Sequence, residues 1–154
     1  MACVSAADIL NPTMTPDKGT FDAPAGKLSA KPTAAWSATT VAAGVNGKPL
    51  PGKLVTLVGE IVDYSCYLQL GKHGTKHRDC GQKCLRNGQP IGLLAKDGTL
   101  YLLMEEEHDQ RRDGLTTSFR QAAIDAMANV MEVSGTLSEV SGQRAVYVQG
   151  FVKK

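Results

Sequence analysis

The chain lacks several features that would assign it a familiar role. Aromatic residues make up only 5% of it, too few for stacking along single-stranded nucleic acid. Charge of one sign is missing as well. Lys and Arg total 17 against 15 Asp and Glu, for a net charge of +2, and no basic stripe gathers in one segment. That balance excludes nucleic acid as the expected partner. No apolar run approaches the roughly 18 residues needed to span a bilayer. No glycine-rich phosphate loop follows a strand. Cys-x-x-Cys is absent, and with it the thioredoxin-like redox motif and the attachment site of c-type haem.

What is present is concentrated. Of four cysteines and three histidines in 154 residues, Cys66, Cys80, Cys84 and His77 fall within one short stretch. Thiolate and imidazole are the side chains that soft and borderline metals prefer. A chain of this length buries a core without staples, so the cluster reads as a site. The Glu105-Glu106-Glu107 run reads as a solvated face at a strand end, and His108 as a surface residue.

Composition divides the chain near residue 52. Six of the seven prolines lie before that point, among Ala, Thr and Gly, and no period of 2 or 3.6 persists there. Residues 1–52 are expected to form an extended arm or tether. Near its start, Ala2-Cys3 has the small-residue–cysteine form of a bacterial lipoprotein cleavage point, so Cys3 is a candidate lipidation site. The alternative is an incidental cysteine. Lipidation would make a membrane surface one partner of the protein.

Residues 53–154 carry strand and helix signals. Leu54–Tyr64 is a β-rich run interrupted by Gly59. Pro90–Lys96 and Thr99–Glu105 flank an Asp97-Gly98 turn, a hairpin signal. Met104 is expected in the core of the third strand. Thr117 would cap a helix over 118–128, with Phe119, Ala123, Met127 and Val130 on one face. Val130–Val140 and Ala145–Val152 complete the set. Three strands, a helix and two strands is the order of an OB-like five-stranded Greek-key barrel with one capping helix. Gly59 and Gly135 sit between inward apolar residues, where a tight barrel must coil. The alternative is an open α+β sheet.

The Cys/His stretch forms an insertion at 65–90, after the first strand. Thr75–Asn87 predicts a short helix, with Thr75 as N-cap and Gly88 just past its end. On it, His77, Cys80 and Cys84 share one face at i, i+3 and i+7. With Cys66 they form a Cys₃His set for one transition metal, copper or zinc, with an iron–sulfur cluster less favoured. His73, between Gly71 and Gly74, is a substitute ligand. A disulfide from Cys66 to Cys80 or Cys84 is the competing arrangement and would leave no cofactor. A reactive thiol is the third.

Asp63-x-x-Cys66-Tyr67, then His77-x-x-Cys80-x-x-x-Cys84-x-x-x-Gly88, then a hairpin and a late Val-x-Gly-x-Leu strand resemble a group of small exported bacterial proteins of uncharacterised function. The resemblance spans residues 55–152 and implies a periplasmic or extracytoplasmic setting, with no activity attached. The sequence therefore leads to an exported metal-binding domain, for metal handling or electron transfer rather than substrate turnover. The alternative is a disulfide-stapled binding module or structural subunit with a protein partner in the envelope.

Overall fold

A computed structural model describes residues 14–106 and 118–151. Five strands close a barrel in the order β1-β2-β3-β5-β4, with β4 returning to β1. They are β1 (Lys53–Asp63), β2 (Ile91–Ala95), β3 (Leu100–Glu105), β4 (Val130–Val140) and β5 (Gln143–Val148). All neighbours are antiparallel except β3 and β5. This is the expected OB-like Greek-key barrel, and it excludes the open sheet.

β1 is long enough to serve two partners. Its first half pairs with β4 and its second half with β2, and Gly59 lies in both ladders, opposite Met131 and Ala95. A Cβ at Gly59 would stand 2.7 Å from the Leu94 carbonyl oxygen. At Gly135 a Cβ would collide with the Tyr147 carbonyl oxygen. The glycines let neighbouring backbone close in where the sheet curls shut. Ile61, Leu93, Leu103, Val133 and Val146 fill the interior and are fully or almost fully buried. Each such side chain contributes about 1.5–3 kcal/mol.

A helix, α4 (Ser118–Asp125), lies between β3 and β4 in the chain. It buries Phe119, Ala123 and Ile124, and Met127 follows in the turn beyond it, 1% exposed. The proposed cap, Thr117, lies outside the described residues, as do Cys3, Glu107 and His108. Met104 departs from expectation. It is 40% exposed, because alternation along β3 turns its neighbour Leu103 inward instead.

The proline-rich segment lies along the barrel. Leu28 N donates to Glu132 O at 2.9 Å, and Glu132 N donates to Gly26 O at 2.8 Å. The Ser29 hydroxyl donates to Ser134 O at 2.6 Å and accepts from Ser134 N at 3.0 Å. Leu28, 6% exposed, joins the main core. Ser37 caps a short helix, α1 (Ala38–Ala43). Its backbone N–H donates to Glu106 Oε1 at 2.7 Å, and Glu106 is buried under this segment rather than solvated as its place in a glutamate run suggests. Among the described residues no helix is long and apolar enough to cross a membrane.

Candidate metal centre

The site is built where β1 ends. Asp63 is its last residue and also the N-cap of a second helix, α2 (Tyr64–Leu70). Asp63 Oδ1 accepts from Ser65 N at 3.0 Å and from Cys66 N at 3.2 Å. That is the role a carboxylate fills at a helix start. Cys66 therefore stands in the first turn of a helix, not in an open loop. Gly71, at φ 69°, ends α2 in the left-handed conformation, which glycine adopts without a Cβ clash.

A buried glutamate sets the next loop. Glu60, 2% exposed, receives Gly74 N on Oε1 at 2.6 Å and His73 Nδ1 on Oε2 at 2.8 Å. Gly74, at φ 82°, lies against the Met14 backbone, so no side chain fits there. A 3₁₀ turn (Thr75–His77) leads into α3 (Arg78–Arg86). Thr75 does not cap this helix. Both its N–H and its hydroxyl donate to Thr15 O, at 2.8 and 3.1 Å, so its capping group is spent on the N-terminal segment.

α3 is fixed from its far side. The Arg78 guanidinium donates to the Met127 and Asp125 carbonyls, and Gln82 Nε2 donates to Ile124 O at 2.9 Å. Arg120 reaches back to Leu85 O and Gln89 O. Gly81 packs on Met127, where a Cβ would lie 2.7 Å from Sδ. These contacts hold His77 over the end of β1.

Asp63, Cys66 and His77 converge, with one ligand atom from each lying within 4.8 Å of the other two. Two atoms of this group are buried without a hydrogen-bond partner, Asp63 Oδ2 and His77 Nε2. Buried polar atoms are rarely left so, and a cation bound between them would satisfy both. Asp63 was not among the ligands expected from sequence. Its signal was the Asp63-x-x-Cys66 spacing, which fits an N-cap carboxylate that turns its second oxygen inward.

The other expected ligands are graded around this trio. The Cys84 thiol is pushed up to about 12, first by burial and then by Asp63, with Cys66 also contributing. It stands beside the trio without joining it at the same spacing. Cys80 is exposed. His73 is committed to Glu60. Burial, then Asp63, also raises the Cys66 thiol. Burial holds His77 below the usual imidazole value. Lys72 adds to that shift, while Asp63 and Glu60 act against it. These shifts favour a neutral His77 imidazole and protonated Cys66 and Cys84 thiols. Cys66, Cys80 and Cys84 are free thiols.

A cavity of about 430 Å³ opens beside His77, with Lys72, His73, Lys76 and Cys80 on its walls. Comparison with protein-family models, curated proteins and solved structures finds no match to this chain.

Proposed function

We propose that the protein binds a single transition-metal ion through Asp63, Cys66 and His77, with Cys84 as the fourth donor, and serves in metal handling. The observation that carries this reading is the pair of buried, unpartnered atoms, Asp63 Oδ2 and His77 Nε2, beside a thiol. An oxygen, a nitrogen and one or two sulfurs form a donor set that zinc accepts in tetrahedral geometry. Copper(I) would use the thiols and imidazole but gain little from a carboxylate. Asp63 therefore favours zinc. The three free thiols support this reading over the disulfide-stapled module. The Ala2-Cys3 pattern supports an extracytoplasmic setting for the activity, and mass spectrometry of the native N-terminus would test it.

The test is titration of the metal-free protein with Co²⁺ as a zinc surrogate. One equivalent should produce thiolate-to-cobalt absorption, and zinc should displace it. Cys66→Ser and His77→Ala should each abolish that band while circular dichroism stays that of a β-barrel. A wild-type protein with no cobalt–thiolate band would overturn the proposal. Elemental analysis of protein from its native host should find zinc at one per chain.

A further inference from the structure

The metal reading of the previous subsection leaves open how the ion arrives, and the cavity beside His77 bears on that. We propose that the ion is exchanged with a small anionic chelate of the polycarboxylate type, which docks in this cavity against Lys72 and Lys76. The cavity, about 430 Å³, is within the usual size of small-molecule sites. Its charges are arranged for an anion. Lys72 and Lys76 are exposed where it opens to solvent. The acidic groups lie behind them. Glu60 is 2% exposed, with each oxygen already accepting a hydrogen bond, and Asp63 is fully buried.

A bare divalent cation approaching from solvent meets the lysines first and is repelled, whereas an anionic complex is drawn in. Leu70 and Met14 on the wall suit the carbon skeleton of such a ligand. The exposed Cys80 thiol and the donor His77 lie on the same wall. Transfer is a ligand exchange without redox change. Carboxylate oxygens of the chelate leave the ion as Asp63, His77, Cys66 and Cys84 replace them. The protons of Cys66 and Cys84 pass to the freed chelate or to water, as metal binding to thiols requires.

The experiment is stopped-flow loading of the full-length metal-free protein with Co²⁺, supplied either as the aqua ion or as a preformed cobalt–citrate complex. Lys72→Glu/Lys76→Glu is compared with wild type. Both proteins should bind one cobalt at equilibrium, since neither lysine is a ligand. In the double variant the citrate-to-aqua rate ratio should fall on the order of tenfold, and the wild-type ratio should fall with added salt. Calorimetry should show metal-free citrate binding to wild type and not to the variant. Equal rate ratios in the two proteins, with cobalt still bound, would overturn the chelate proposal and leave the metal site standing. No cobalt uptake from either source would remove both.

Discussion

At the scale of single residues, the centre depends on what Asp63 does with its two oxygens. Oδ1 holds the start of α2 and Oδ2 faces the cluster unpartnered. Asp63→Asn keeps an acceptor for the cap but removes the charge. It should weaken cobalt binding by more than tenfold and leave thermal stability little changed, as titration and calorimetric melting would show. The thiols set the pH dependence. Cys66 and Cys84 hold their protons more tightly than ordinary cysteines, and each must release one to bind metal. Affinity should therefore rise with pH by about tenfold per unit for each proton displaced. His77, already held neutral, should add no slope near neutrality. Competition against a chelating indicator across pH measures this directly. In the metal-free protein the sign reverses for stability. Folded Cys84 keeps its proton to about 12, against 9.0 for an ordinary thiol. The folded state then binds more protons than the unfolded state between those values, and stability falls as pH rises through that window. Cys84→Ser should flatten the decline in urea midpoints.

At the scale of elements, the strands were legible because their signals are local. Alternation, the Asp97-Gly98 turn and the two barrel glycines each act over a few residues, and β4 runs from Val130 to Val140 as read. Gly135→Ala should cost about 1–3 kcal/mol, since its Cβ meets the Tyr147 backbone, which cannot swing aside. Denaturant melts would show the loss. α3 was legible too, with His77, Cys80 and Cys84 on it or at its start. Helix α2 was not. Its seven residues are too few to establish a helical period, and a β-rich run leads straight into it. The grading of the thiols was equally hidden. Helical spacing places Cys80 and Cys84 on one face, but only packing against Met127 and Ile124 decides which of them turns toward Asp63. The role of Glu60 was hidden for a similar reason. A charged residue in a strand reads as solvent-facing until a loop folds over it.

At the scale of the whole molecule, composition marked residues 1–52 as distinct but did not reveal that the described part, residues 14–52, bonds to the barrel. Their bonds to the barrel are mostly made by backbone and small hydroxyls, which leave no pattern in sequence. Leu28 is the informative side chain, since it enters the main core. Leu28→Ala should cost about 2–3 kcal/mol, measured by urea unfolding. The same change in a fully detached tether would cost nothing. Closure of the barrel has its own consequence. The residues proposed to hold metal are neighbours in the chain, yet α3 takes its place from Met127, Ile124 and Asp125, and β1 meets β4 across most of the sequence. A segment spanning Asp63 to Cys84 alone therefore has the donors without their arrangement. These long-separation contacts are the slow part of folding. A newly made chain is therefore expected to expose its thiols before they are organised, and the proposed capacity to hold an ion would arise only with the final ring of strand pairs.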